Sequence, residues 1–331
     1  MISNSVSSKF KRAIAAASVG LIGVAAASAS VAATYPERAI KLIVPWAPGG
    51  ATDVLGRFIA KGLSERIGQP VVVENRSGAG GNIGTSAFVR EKADGYTLLV
   101  ATSSTNAANP YLYKQLGFKP ESDFAPVAFV ASIPNVLEVN KDSKYTTFQE
   151  LLDAAKAKPG VLNYGSAGVG SSQHLAASLL KHLTKMDIVH VPYKGSGPAV
   201  SDLLAGQFDF MLDTGSVGQV KGGALRALAV ASETRLAALP DVPTFKEQGL
   251  EGMNASAWYG ILAPAGTPTD IVELLNKEIN VVVQSPEVKQ RLEGMGAQVP
   301  DAQTSEQFSM FMADELKRYG ELIKISGAKM E

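Results

Sequence analysis

Three serines, three glycines and a histidine stand close together in the stretch YGSAGVGSSQHL (164–175). Such a stretch could cradle a phosphate, place a serine nucleophile beside its base, or bind an anion through main-chain N–H groups. A nucleophile elbow requires G-x-S-x-G, which is missing, and catalytic partners usually come from different elements. We favour anion binding, with Ser171 or Ser172 capping the helix that carries His174. A secreted hydrolase using either serine with His174 is the less favoured alternative.

The histidines and the missing cysteines limit the other chemistry. Because the chain has no cysteine, it contains no disulfide, thiol nucleophile, zinc finger or iron–sulfur site. His182 and His190 are not expected to share a face with His174, and no carboxylate cluster completes a metal site. We therefore expect neither a metal nor a cofactor.

Two further glycine-rich loops precede predicted helices. In PWAPGGATD (45–53), Gly49 and Gly50 allow close approach of a ligand, and Thr52 or Asp53 can cap a helix. NRSGAGGNIG (75–84) imitates a dinucleotide fingerprint, but it follows the second strand and lacks the acidic residue that holds a ribose. We interpret it as a loop that determines the shape of the crevice rather than one that binds a dinucleotide.

Polar residues also follow three other predicted strands. TSSTNAANP (102–110) supplies a neutral wall of hydroxyls and amides, PYKGSGPAV (192–200) supplies Tyr193 and Lys194, and MLDTGS (211–216) supplies Asp213. Asp213 could orient an ammonium, a water or Lys194, or cap the next segment. Since few titratable groups converge here, binding without turnover is the simpler interpretation, and we expect no enzymatic activity.

Short apolar runs alternate with amphipathic ones, which is typical of α/β domains with largely parallel sheets. One series runs from a strand at 39–44 to a strand at 96–102, and a second extends from about 133 to 232. A late strand at 257–264 followed only by helices is expected to return to the first sheet. This pattern predicts two lobes, 34–135 plus 256–331 and 136–255, joined by two crossover segments.

The first 33 residues differ in kind from the rest. Lys9, Lys11 and Arg12 precede an alanine-rich apolar run and the small-residue end SASVAAT, which together predict a cleaved signal peptide and a periplasmic protein. The formal net charge of zero argues against nucleic acid or an anionic membrane surface as a partner.

Several blocks, in order and spacing, resemble one known family. They are PWAPGGATD, ENRSGAGGNIG, YGSAGVGSSQHL, HVPYKGSGPAVSDLLAGQFD, LRALAVAS, LPDVPTFKEQGL and WYGILAPAGTP. They are similar to those of the Bug or TctC-like proteins, the extracytoplasmic solute receptors of tripartite tricarboxylate transporters. The resemblance covers essentially the whole chain after residue 33. Trp46 replaces the Phe or Tyr of many relatives, and LDTGSVGQVKGG around Asp213 also departs from their pattern.

The resemblance implies a two-lobe α/β periplasmic binding protein, with a mainly parallel sheet in each lobe, that closes on a small carboxylate. It implies a monomer that delivers its guest to membrane subunits of the transporter; a sensor that presents its ligand to a kinase is the alternative. Tricarboxylates, dicarboxylates, acidic amino acids and aromatic acids all remain open, and Trp46, Tyr193 and Trp258 favour an aromatic or extended acid. The predicted ligand-binding residues are Trp46, Pro48, Gly49, Gly50, Ala51, Thr52, Asp53, Ser103, Ser104, Ser166, Ala167, Gly168, Gly170, Ser171, Ser172, His174, Tyr193 and Asp213.

Overall fold

A computed structural model describes residues 35–326, which form two sheets flanked by helices. The strands are β1 Ile40–Val44, β2 Val71–Asn75, β3 Thr97–Thr102, β4 Phe124–Pro134, β5 Val136–Asn140, β6 Asn163–Ser166, β7 Val189–Pro192, β8 Phe210–Asp213, β9 Leu225–Val230 and β10 Ser256–Pro264. The helices are α1 Ala51–Ile67, α2 Asn82–Phe88, α3 Asn109–Leu112, α4 Phe148–Ala157, α5 Ser172–Thr184, α6 Ser196–Leu204, α7 Val217–Lys221, α8 Thr269–Gln284, α9 Pro286–Gly294 and α10 Ser305–Ser326. The predicted signal peptide lies outside the described residues.

The two sheets have the same pattern of pairing. The first has the strand order β2-β1-β3-β10-β4 and the second has β7-β6-β8-β5-β9. In each sheet the first two pairings are parallel and the last two are antiparallel. The two-lobe α/β fold with a mainly parallel sheet in each lobe is confirmed, because four of the five strands in each sheet run in the same direction. The reversed strand is a crossover strand in both cases, β10 in the first sheet and β5 in the second.

The lobes are joined where the chain passes from one sheet to the other. Asn135 is the single residue between β4 and β5, and β10 begins just after Ala255. The Asn135 N–H donates to the Ala255 carbonyl (2.9 Å), and its side-chain amide donates to the same oxygen (2.8 Å). The two crossovers are thus hydrogen-bonded to each other. As expected, the late strand joins the first sheet; the exact lobe boundaries stay predictions.

Each lobe has its own apolar core. Phe308 and Trp258 pack edge to face in the first lobe, while Phe148 and Phe245 do so in the second. The last helix, α10, packs against β4 of the first lobe and α5 of the second. Within residues 35–326 no helix is long and apolar enough to cross a membrane.

Local sequence explains the helix starts that matter for function. Ser171 is the N-cap of α5, and its hydroxyl accepts a hydrogen bond from the His174 N–H at 3.2 Å. By contrast, α1 and α6 begin after Gly50 and Gly195, which supply no capping side chain. The first N–H groups of these helices therefore have no partner within the helix.

Candidate functional site

A cavity lies between the two lobes, at the carboxyl ends of β1, β3, β6 and β8. In open α/β sheets this edge is where ligands bind. The cavity is lined by Trp46, Ala47, Gly50, Ala51, Thr52, Thr102, Ser103, Ser104, Ala167, Ser172, Gln173, Ser196, Thr214, Ala257 and Tyr259. None of these lining residues is a Lys, Arg, His, Asp or Glu. Any charge on a guest must therefore be met by dipoles.

Three helix N-termini meet at this cavity. Ala51 and Thr52 open α1, Ser172 and Gln173 open α5, and Ser196 opens α6. The free N–H groups at the start of a helix carry about half a positive charge together, so they favour an anion. One helix comes from the first lobe and two from the second. An anion between them would be held from both sides.

An aromatic donor lies at the same place. The indole Nε1 of Trp46 is buried and has no hydrogen-bond partner among the described residues. Buried donors are normally paired, so an orphaned one beside a cavity calls for a partner. Across the cavity, the hydroxyls of Thr214 and Tyr259 lie 3.1 Å apart and link the two lobes directly.

Asp53 shapes the loop that carries the first helix tip. Its Oδ2 accepts a hydrogen bond from the Gly49 N–H (3.1 Å), and its Oδ1 accepts one from the Asn75 amide (2.9 Å). Burial by itself would raise the pKa of Asp53, but hydrogen bonds from Arg57, Gly49 and Asn75 outweigh it and lower the pKa. Asp53 is only 4% exposed and does not line the cavity. It fixes the conformation of the β1–α1 loop.

Asp213 likewise lies behind the cavity wall. Its Oδ1 accepts hydrogen bonds from Ser196 Oγ (2.6 Å) and from Gln173 Nε2 (3.0 Å). Its Oδ2 accepts from the Gly215 N–H and from Ser216 Oγ, both at 2.8 Å. With four donors on its two oxygens, Asp213 holds two side chains of the wall in place. The sequence left its role open, and the structure makes it a support for Ser196 and Gln173.

His174 and His190 stack on each other, so the expectation that His190 does not share a face with His174 is wrong. The rings of His174 and His190 lie 4.5 Å apart, because β7 pairs with β6 and brings His190 over the start of α5. Burial lowers the pKa of His174 to about 4, and burial together with His174 lowers that of His190 to about 4. Both rings are therefore neutral at pH 7.

In the hydrogen bonds of this site, neither the Ser171 nor the Ser172 hydroxyl bonds to the His174 imidazole. The Ser171 hydroxyl caps α5, and the Ser172 hydroxyl donates to Gln173 Oε1 at 3.3 Å. His174 Nδ1 accepts from the Gly170 N–H. Neither Ser171 nor Ser172 is therefore placed to be activated by His174.

Comparison with known proteins identifies the family. The family model described as the tripartite tricarboxylate transporter family receptor, TctC, matches residues 55–328. The chain belongs to this family. It is 40% identical over 321 residues to the protein BugT of Bordetella pertussis, covering 95% of this chain and 98% of BugT.

Solved structures agree with this assignment. An R. palustris protein solved with adipate is 36% identical with a TM-score of 0.86, and the match covers 89% of this chain and all of that one. MatC from Rhodopseudomonas palustris, solved with bound malate, is 33% identical with a TM-score of 0.83, over 87% of this chain and all of MatC. The family's members are extracytoplasmic solute-binding receptors of tripartite transporters, and this chain is such a receptor.

The structure brings many, but not all, of the residues predicted from the TctC resemblance to the cavity. Those that line it are Trp46, Gly50, Ala51, Thr52, Ser103, Ser104, Ala167 and Ser172. Gly168 and Tyr193 line a neighbouring cleft that Trp46 also borders. Burial raises the pKa of Tyr193 to about 12, and its hydroxyl donates to Asp202 at 2.7 Å.

The remaining predicted residues lie in the supporting layer. Pro48 and Gly49 meet Gly197 of the second lobe, and Ser166 Oγ lies 2.6 Å from His190 Nε2. The other members of this layer are Asp53, Gly170, Ser171, His174 and Asp213. Trp258, which suggested an aromatic guest, is packed in the core of the first lobe.

Sequence reasoning missed several lining residues of this TctC receptor. They are Ala47, Thr102, Gln173, Ser196, Thr214, Ala257 and Tyr259. The closely spaced Gly195 and Gly197 beside Ser196 were a usable signal, because they allow the second lobe to approach Gly49 and Gly50. Ala257 and Tyr259 come from β10, and no local pattern could place that strand at the cavity.

Proposed function

We propose that this protein is a periplasmic receptor that captures a small organic carboxylate between its two lobes. It releases the guest unaltered to the membrane subunits of a tripartite tricarboxylate-type transporter. The observation that carries the proposal is the meeting of three helix N-termini in a buried, uncharged cavity. Adipate and malate, the guests of two relatives, are small carboxylates of the kind this cavity would take.

The physical basis is anion binding without a basic side chain. N–H groups from α1 on one lobe and from α5 and α6 on the other would donate to the carboxylate oxygens, and the Trp46 indole supplies a further donor. Closure of the lobes would remove bulk water and strengthen these hydrogen bonds. Because the cavity holds no acid, base or nucleophile placed for chemistry, we propose binding without catalysis.

The proposed function also includes export of the chain and contact with the transporter. Residues 1–33 would direct the chain to the periplasm and be removed there, which mass measurement of the periplasmic protein would test. The receptor would act as a monomer that contacts the transporter only transiently. The formal net charge is zero, so no excess of basic residues indicates a nucleic-acid partner.

Ser172→Pro paired with Ser172→Ala tests the main-chain mechanism. Ser172 is the first residue of α5, where proline is tolerated, and Ser171 has the extended conformation (φ −64°, ψ 157°) that precedes proline readily. Proline removes one N–H, whereas alanine removes only the hydroxyl. Calorimetry over a panel of carboxylates should give about 10-fold to 100-fold weaker binding for the proline variant, the loss of one hydrogen bond to a charged group. The alanine variant should bind nearly as tightly as wild type.

Two outcomes would refute the proposal. Wild-type protein that binds no member of the panel would reject the receptor for small carboxylates. Equal binding by both variants would reject main-chain capture at α5, provided circular dichroism confirms that both are folded.

A further inference from the structure

The hydrogen-bond donors and acceptors that the cavity wall presents limit which class of ligand can bind. Ser196 and Gln173 both line the cavity, and both contact Asp213 Oδ1. Asp213 is 1% exposed, so its charge is met by these contacts and by its other two donors rather than by water. It therefore dictates how the two wall residues are oriented.

A carboxylate can only accept hydrogen bonds. The single hydroxyl proton of Ser196 is thus committed to Asp213, and the Gln173 amide must present its NH₂ to the same oxygen. What these side chains leave for a guest is acceptors: the lone pairs of Ser196 Oγ and the carbonyl Oε1 of Gln173. Gln173 Oε1 already accepts from Ser172 Oγ at 3.3 Å, so a second donor would complete it.

A second buried carboxyl lies close to Asp213. Glu138 on β5 is fully buried, and its Oε2 contacts Ser216 Oγ, which also bonds to Asp213. Burial, and then the negative charge of Asp213, raise the pKa of Glu138 well above its usual range. The raised pKa thus favours the protonated form of Glu138. Asp213 remains the acceptor for Ser196 and Gln173.

Donors and acceptors thus lie side by side in one cavity. The helix N-termini suit a carboxylate, but a guest made only of carboxylates and methylenes would leave Ser196 Oγ without a donor and Gln173 Oε1 with only its bond from Ser172 Oγ. A buried acceptor without a donor costs about 1–3 kcal/mol. Both acceptors are neutral, and no carboxylate lines the cavity to pair with an ammonium. A hydroxyl fits better than an amine.

We infer that the guest is a hydroxycarboxylate, whose hydroxyl donates to Ser196 or Gln173 while its carboxylate meets the helix N-termini, and that Asp213 is the positioning residue for this preference. The inference rests on the proposed function. It assigns Asp213 a role through the wall residues rather than in direct contact with the guest.

Matched acids that differ by one hydroxyl test the inference. Calorimetry at pH 7.5 would compare malate with succinate and lactate with propionate, and aspartate would probe an ammonium in place of the hydroxyl. The hydroxy acid of at least one pair should bind about 10-fold more tightly than its partner, which corresponds to one buried hydrogen bond.

Variants then locate the origin of the preference. Asp213→Asn can donate to Ser196 or Gln173 and free a proton for the cavity, so the hydroxy-to-deoxy ratio should fall at least 5-fold. Ser196→Ala deletes one acceptor and should lower the same ratio if Asp213→Asn proves unstable. Glu138→Gln is the matched control: it changes a buried carboxyl that contacts Ser216 rather than Ser196 or Gln173, so the ratio should stay as in wild type.

Each contrary outcome has a distinct meaning. If no acid binds, the proposed function itself fails. If wild type binds both members of every pair equally, or binds aspartate more tightly than malate, the hydroxycarboxylate inference is overturned. A wild-type ratio that survives in both Asp213→Asn and Ser196→Ala overturns the role of the wall.

Discussion

Gly197→Ala should hold the receptor open. Gly197 is the second residue of α6, and a Cβ there would lie 2.6 Å from the Pro48 carbonyl oxygen and 3.5 Å from the Gly49 carbonyl carbon, both in the first lobe. Ordinary contact begins at 3.4 Å, so the oxygen is about 0.8 Å too close. Because the obstructing atoms are main chain, they cannot rotate away. Separation of the lobes is the simplest relief.

The size of the effect follows from the cost of overpacking. Forcing an extra methyl into a packed contact costs about 1–3 kcal/mol, and here the cost falls only on the closed form. Affinity for a carboxylate that wild type binds should therefore drop roughly 5-fold to 150-fold. Chemical denaturation without ligand should change little, since neither lobe is disturbed internally.

Gly218→Ala is the matched control. Gly218 is also the second residue of a helix in the second lobe, α7, and a Cβ there meets nothing within 4 Å. Calorimetry gives the affinities, and small-angle X-ray scattering with saturating ligand reports closure. A Gly197→Ala protein that binds as tightly as Gly218→Ala and compacts equally would refute the reasoning.

Three further predictions concern protonation and closure. The pKa of His174 is lowered from 6.5 to about 4, so its contribution to stability is present above pH 6.5 and is lost as the pH falls toward 4. About 2 kcal/mol should be lost by pH 5, and urea denaturation of His174→Gln should show a smaller loss; an equal loss would contradict the assignment. The pKa of Glu138 is raised well above its ordinary value of 4.5, so its contribution to stability is present below pH 4.5 and is lost as the pH rises through the raised value. The unfolding free energy of Glu138→Gln should therefore increase relative to that of wild type as the pH rises above 4.5, and a constant difference would argue against the raised pKa. Tyr259→Phe removes the hydrogen bond to Thr214 of the other lobe (3.1 Å), and ligand affinity should fall about 5-fold, the equivalent of about 1 kcal/mol. Unchanged affinity would mean that this bond does not favour closure.

The sequence predicted the loops of the site better than its side chains. Glycines and helix starts are local signals, which is why the tips of α1 and α5 were expected at the cavity. Ser171 as the cap of α5 is confirmed. The position of a helix tip follows from the strand before it, so an alternating pattern is enough to place it.

The positions of the side chains in the site depend on packing between residues that are far apart in the sequence. Strand β4 extends from Phe124 to Pro134, and its internal Pro126, a residue that argues against a central strand, hid most of it. The contact of Asp213 with Ser196 and Gln173 joins three elements of the second lobe. The stack of His174 on His190 depends on the register of β6 with β7. None of these contacts leaves a pattern along the chain.

The N–H groups at the tips of α1, α5 and α6 belong to the backbone, and this affects how such receptors can diverge. Most amino-acid replacements leave these groups in place, so an alanine scan of the cavity would report on selectivity and miss the anchor. A gene copy could thus acquire a new guest through changes at wall positions such as Ser196, Gln173 or Trp46. The inherited affinity of its main-chain N–H groups for carboxylates would persist through these changes.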